Sequence, residues 1–170
     1  MYARPLIDSL DFARNGKEIS GEIPFVAMPR LLAELEKHDG VLHYTVQGGE
    51  DRQGIPFLEV VMAGDCRLRC QRCLGVLEYS VRIETRLLLR DQTELDALDS
   101  EGRPDDEEEF DSILAEVRLD VLDMLEEEIL LSLPISPMHE AGECKAGSSE
   151  SAGKGKENPF AALENLKVVK

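Results

Sequence analysis

The stretch Leu77–Arg90, LEYSVRIETRLLLR, decides the reading of the fold. Tyr79, Val81, Ile83, Leu87 and Leu89 fall on one face of an extended chain, while Ser80, Arg82, Glu84, Arg86 and Arg90 fall mostly on the other. A period of two with one apolar and one polar face is the pattern of a strand lying over a core. Upstream, Ile55–Arg69 reads as a second strand, bent at Gly64, and the loop Cys70-Gln71-Arg72-Cys73 joins the two as a hairpin. Val41–Gln47 reads as a third strand closed by Gly48-Gly49, and Lys17–Phe25 is β-permissive. One-sided strands joined by short turns predict an antiparallel meander.

Helices complete the expectation. Met28–Lys37 (MPRLLAELEK) reads as a helix, with Pro29 in the first turn, where its missing donor costs nothing, and Asp39-Gly40 at the end. Farther on, Asp120 is placed to cap a helix in which Val121, Leu122, Leu125, Ile129 and Leu133 recur at helical spacing. Asp123, Glu126, Glu127 and Glu128 form its expected solvent side, and Pro134 and Pro137 stop it. The segment before Asn15 reads as irregular, residues 91–109, with Gly102 and Pro104, as an acidic exposed loop, and Phe110–Leu119 as a short strand. From Gly142 to Glu157, Gly, Ser, Lys and Glu dominate, the composition of a flexible linker. The predicted architecture is α+β: an antiparallel β-meander packed by two helices in one domain over residues 1–140. A linker over 141–157 and a short C-terminal segment over 158–170 follow.

Charge is concentrated rather than spread. Residues 1–90 hold 12 Lys/Arg against 13 Asp/Glu, residues 91–144 hold 2 against 19, and residues 145–170 hold 5 against 3. The middle block repels a phosphate backbone, so RNA contact is expected elsewhere, and it suits a basic partner or a solvated face. Aromatic residues are 5% of the chain and Trp is absent, which supplies few platforms for base stacking. No run approaches the roughly 18 apolar residues of a membrane span. Asp8 and Asp11 lie where a signal peptide needs an apolar run, so a cytoplasmic location is expected.

Three of the four cysteines, Cys66, Cys70 and Cys73, sit close together without a secretion signal, which favours metal-binding or reduced thiols over disulfides. Two residues between Cys70 and Cys73 let both sulfurs converge on one ion while backbone donors face them. Tetrahedral zinc wants four ligands, and the one further pair of suitable type is His139 and Cys144. Together these make a candidate set for a structural zinc that pins the hairpin to the helix exit; simply reduced thiols are the alternative. Redox-active pairs usually begin a helix, whereas this pair is expected in a turn, although Arg69 and Arg72 would favour thiolate. Cys66 reads as a small apolar side chain.

Arg67, Arg69, Arg82 and Arg86 are expected on one sheet face, with Arg90, as a candidate RNA-binding strip. The bland counterpart is an exposed face whose arginines meet Glu59, Glu78 or Glu84. No catalytic constellation emerges: His38, His43 and His139 have no recognisable nucleophile motif beside them, and Asp105–Glu109 lacks metal-ligand spacing. A phosphate-binding Gly-Lys-Ser/Thr and a dinucleotide fingerprint are also missing.

Three blocks carry a likeness beyond these patterns. They are Cys70-Gln71-Arg72-Cys73-Leu74 after a strand; Leu119-Asp120 through Leu133-Pro134 followed by His139 and Cys144; and the tail Asn158-Pro159-Phe160-Ala161-Ala162-Leu163. In order and spacing they resemble the YceD family of large ribosomal RNA subunit accumulation proteins, while the first 65 residues match only in general character. The resemblance implies a role in synthesis, processing or stability of 23S ribosomal RNA without catalysis. It carries over no catalytic residues and no metal. The implied partner is the large-subunit rRNA or its precursor particle, reached directly or through a basic ribosomal protein held by Asp91–Glu128. Neither a membrane nor a small-molecule substrate is expected, and a thiol- or zinc-based redox-responsive protein is the reading from another class.

Overall fold

A computed structural model describes residues 4–101 and 110–144. Residues 102–109 of the expected acidic loop, most of the expected linker and the whole 158–170 segment lie outside the described residues.

The strands are β1 (Leu6–Ile7), β2 (Glu18–Pro24), β3 (Leu35–Lys37), β4 (Val41–Glu50), β5 (Pro56–Arg69), β6 (Val76–Arg90), β7 (Asp111–Leu114) and β8 (Leu119–Asp120). The helices are α1 (Ser9–Arg14), α2 (Pro29–Leu32), α3 (Gln92–Glu101) and α4 (Val121–Ser132), with a 3-10 turn at Phe25–Ala27. Strands β2-β4-β5-β6-β7 run side by side, β3 pairs with the end of β5, and β1 with β8 forms a separate ribbon. The protein is α+β with a largely antiparallel sheet, as the sequence predicts.

β5 and β6 form a long hairpin in register from Phe57↔Leu88 to Arg69↔Val76. The inward phase is the predicted one: Val81, Leu87 and Leu89 are buried, with Tyr79 and Ile83 packed against the core. They meet Leu58, Val60, Met62 and Leu68 of β5 and Val121, Leu125 and Ile129 of α4 in one cluster. Each fully buried apolar side chain of this kind contributes about 1.5–3 kcal/mol, so α4 is held on the sheet chiefly by its apolar face. Asp120 caps α4 as expected, accepting from the backbone N–H of Leu122 at 3.0 Å and of Asp123 at 3.2 Å.

Several expectations are corrected. From Leu6 to Arg14 the opening segment is regular: Asp8 caps α1 through the Asp11 N–H at 3.0 Å, and β1 pairs with β8, a partner far away in sequence. The helix expected over Met28–Lys37 shrinks to the single turn α2, after which Leu35 turns to pair with Leu68. A helix that short has little stability of its own, so tertiary pairing decides its end. Gly48 and Gly49 do not close β4; they lie within it. A Cβ on Gly48 would stand 2.5 Å from the Phe12 carbonyl oxygen, so the bare glycine lets α1 lie directly on the strand.

Residues 91–109 are not all loop, because α3 occupies Gln92–Glu101. Its start is a reciprocal cap: the Glu94 N–H donates to Asp91 Oδ1 and the Asp91 N–H to Glu94 Oε2, both at 2.9 Å. The strand expected over Phe110–Leu119 is split into β7 and β8. β7 runs parallel to β6, from Leu87↔Asp111 to Arg90↔Leu114. A parallel neighbour requires a crossover of a dozen or more residues, and the stretch holding α3 supplies it. The sheet is therefore mixed, and four helices are described where two were expected. Glu126, assigned to the solvent side, is 1% exposed. Among the described residues, no helix is long and apolar enough to cross a membrane.

Candidate metal centre at the hairpin tip

The turn joining β5 to β6 is closed by its own backbone. The Cys70 N–H donates to the Gly75 carbonyl and the Leu74 N–H to the Cys70 carbonyl, each at 2.9 Å, and Leu74 takes the left-handed conformation (φ 60°). This folding turns backbone N–H groups toward the sulfurs. The N–H of Cys73, with smaller contributions from His139 and Arg72, holds the Cys70 thiol down at about 5, against the opposing effect of burial. Cys73 also receives an N–H, from Gly75, but burial and the sulfurs of Cys70 and Cys144 outweigh it and push its thiol up.

The second pair of donors arrives from the exit of α4. Leu133 leaves the helix in an extended conformation, and the chain runs back along the turn. There the Gln71 N–H donates to the Pro137 carbonyl at 2.8 Å. His139 Nε2 lies 3.0 Å from the Val76 carbonyl, so a proton on Nε2 is anchored and Nδ1 is left facing the sulfurs. A metal-bound histidine is usually oriented by such an outer hydrogen bond. The neighbouring Cys144 and Cys70 sulfurs raise the pKa of the ring.

Cys70, Cys73, His139 and Cys144 converge, their donor atoms all within 4.8 Å of one another. Cys70 Sγ stands 3.8 Å from Cys144 Sγ, while His139 Nδ1 stands 3.4 Å from Cys73 Sγ and 3.7 Å from Cys144 Sγ. A tetrahedron with Zn–S of about 2.3 Å and Zn–N of about 2.0–2.1 Å has edges of about 3.8 Å between sulfurs and about 3.6 Å between sulfur and nitrogen. These three separations match such edges, so the four residues could hold a metal ion. Cys66 is outside the group: it is buried in the sheet, and burial, with Asp65 nearby, pushes its thiol up to about 11. All four cysteines are free.

A family model described as large ribosomal RNA subunit accumulation protein YceD matches residues 58–167, a span that contains all four donors. The chain belongs to the YceD family. A curated relative from Haemophilus influenzae, named large ribosomal RNA subunit accumulation protein YceD, is 32% identical over 120 residues. The match covers 64% of this chain and 66% of the relative, so the chain spans just under two thirds of that protein's length. No solved structure matches the chain.

Within the YceD span, strand register places Arg67, Arg69, Arg82 and Arg86 on the outer sheet face. Two of them are engaged there. Arg67 pairs with Asp39 and, at 3.9 Å, with Glu78. Arg86 meets Glu59 at 3.3 Å and lies over the Phe57 ring, 4.2 Å from its centroid, with Phe110 at 5.4 Å. Arg69 and Arg82 are exposed and make no ion pair among the described residues. A groove of about 290 Å3 is lined by Glu116, Glu127 and Glu128 together with Arg118, Leu119 and Met124. Sequence reasoning found all four donors but missed the detailed part of Arg72, which lies between the two turn cysteines and touches the distal pair.

Proposed function

We propose that this chain is a non-catalytic cytoplasmic factor supporting synthesis, processing or stability of 23S ribosomal RNA, with a structural zinc ion held by Cys70, Cys73, His139 and Cys144. The observation that carries the proposal is the closure of the donor set. Three thiolates and one imidazole at tetrahedral spacing suit zinc, and four protein ligands leave no open position for substrate or water, the arrangement of a structural centre. A few hydrogen bonds contributing about 1 kcal/mol each fix the 134–144 segment weakly. Apparent binding energies for structural zinc are about 10–16 kcal/mol, so the ion would decide whether the hairpin tip and the α4 exit form one surface. The name of the Haemophilus relative ties that protein to large-subunit rRNA, and the family membership supports the same setting here.

Elemental analysis of freshly purified protein is expected to find about one equivalent of zinc. Cells lacking the gene are expected to regain mature 23S rRNA with the wild-type chain and to fall short with Cys73→Ser. Unchanged 23S levels in the deletion strain would refute the role, and metal-free protein would refute the centre. Thiol titration with and without chelator separates the centre from a redox pair.

Two routes to the ribosomal precursor are distinguishable. Arg69 and Arg82, without an ion pair among the described residues, offer their guanidinium groups to phosphate, whereas the groove, where Glu116, Glu127 and Glu128 outnumber Arg118, suits a basic ribosomal protein. The commitment of Arg67 and Arg86 to acidic neighbours favours the second route. Copurification of a basic ribosomal protein, lost on changing Glu116 and Glu127 to Gln, supports it. Salt-sensitive RNA binding, lost on reversing Arg69 and Arg82 instead, supports the first.

A further inference from the structure

We infer that Arg72 is the positioning residue of the centre, a guanidinium strut that holds Cys144 and His139 in place for the ion. The inference rests on the zinc reading above. Arg72 Nε donates to Cys144 Sγ at 3.0 Å, and Nη2 donates to the carbonyl oxygens of His139 and Glu140, each at 3.0 Å. One side chain from the proximal turn thus grips three acceptors on the distal segment, including the backbone of one ligand and the sulfur of another.

The distal ligands need this help more than the proximal ones. Cys70 and Cys73 are set by a turn closed through its own backbone, at Cys70–Gly75 and Leu74–Cys70. Cys144 follows a short turn in which Gly142 has φ 95° and the Glu143 N–H reaches the Glu140 carbonyl at 3.1 Å. Among the described residues, its sulfur is held by Arg72 and by the other donors. Charge points the same way. Three thiolates and a neutral imidazole around a divalent ion leave one net negative charge, which the adjacent guanidinium offsets. A hydrogen bond to sulfur also draws electron density from the metal bond, an opposing effect. Pre-organisation outweighs it here because two of the three contacts are to backbone carbonyls and leave the sulfur untouched. A lysine cannot replace the fork: an ammonium is a single compact centre, whereas the guanidinium donors have fixed, divergent directions.

The test is zinc release from full-length protein to a coloured chelator at fixed pH, with circular dichroism to confirm folding. Loss of an outer-sphere partner typically costs about 10–100-fold in metal affinity. Arg72→Gln is expected to hold one equivalent of zinc and to release it about tenfold or more faster than wild type. Arg72→Lys is expected to fall between the two. In a Cys144→Ala background, Arg72→Gln is expected to add less than in wild type, because the contact to Sγ is already gone while the two carbonyl contacts remain. Release from Arg72→Gln as slow as from wild type overturns the inference, as does Arg72→Lys behaving as wild type, which would leave only charge. Full additivity in the Cys144→Ala background overturns it too. Wild-type protein without zinc would instead overturn the reading beneath it.

Discussion

Glu126 of α4 is clasped twice by Arg30 of α2. The Arg30 backbone N–H donates to Oε1 at 2.6 Å, and Arg30 Nε donates to Oε2 at 3.1 Å. The Leu31 N–H adds a third bond to Oε1, at 2.9 Å. A carboxylate that is 1% exposed thus takes up two orphan donors at the start of a one-turn helix and meets a guanidinium that still reaches solvent. Removing one member of such a set costs more than the set contributes net, since the partners stay behind unpaired.

Glu126→Ala is therefore expected to destabilise the protein by about 2–4 kcal/mol in urea unfolding, because the Leu31 N–H is left buried without an acceptor. Glu127→Ala, one residue on and exposed, is expected to cost under about 1 kcal/mol. Equal costs at the two positions would contradict the clasp.

Metal removal is expected to loosen one segment rather than the whole fold. The 134–144 segment is tied to the turn by Gln71–Pro137, His139–Val76 and the Arg72 contacts, whereas α4 is anchored separately by Val121, Leu125 and Ile129. Chelator-treated protein should be cut by a glutamate-specific protease at Glu140 and Glu143 while the sheet stays intact. Cleavage at the same rate with and without chelator would contradict a metal clamp.

Glu128 sets a pH dependence. Burial, with Asp111 and Glu127 close by, raises its pKa above the ordinary carboxylate value. A carboxyl whose folded pKa exceeds its unfolded one binds its proton more tightly in the folded state. Its contribution to stability therefore grows as pH falls through the raised value toward about 4.3, the ordinary glutamate pKa. Glu128→Gln is expected to stabilise the protein by a few tenths of a kcal/mol at pH 7, the scale of like-charge repulsion on a helix. It should also remove that rise on acidification. Thermal melts between pH 7 and pH 4.5 read both.

Gly48→Ala is expected to cost about 1–3 kcal/mol, since the new methyl meets backbone atoms of Phe12 and Ala13 that cannot yield separately. Gly21→Ala is the control. Its nearest neighbour is the Tyr44 ring at 3.3 Å, a side chain that can shift. A smaller loss at Gly48 than at Gly21 would argue against the close seating of α1 on β4.

The hairpin and α4 were legible because each is written in consecutive residues. Alternation from Leu77 to Arg90 set the inward phase, and Asp120 with Val121, Leu125 and Ile129 marked the helix and its cap. The cap of α3 was also legible in principle, since Asp91-x-x-Glu94 is a capping pattern, but the surrounding acids read as loop. The parallel placement of β7 and the pairing of β1 with β8 had no local signal, because their partners are distant in sequence. Glu126 misled for the same reason: helical periodicity set it among acids facing water, and only Arg30 and Leu31 make its burial tolerable.

The candidate centre divides along the same line. Residue type and the two-residue spacing of Cys70 and Cys73 by themselves determined that the turn can present two sulfurs to one ion, since a tight turn fixes that geometry locally. Residue type also nominated His139 and Cys144, but that they come within reach of that pair was decided only by tertiary structure. The packing of α4 on the sheet brings its exit to the hairpin tip, and the spacing of donors so far apart in the chain depends on that packing. The place of Arg72 across the two halves belongs to the same order. Its acceptors are a sulfur and two carbonyls whose positions no sequence pattern encodes.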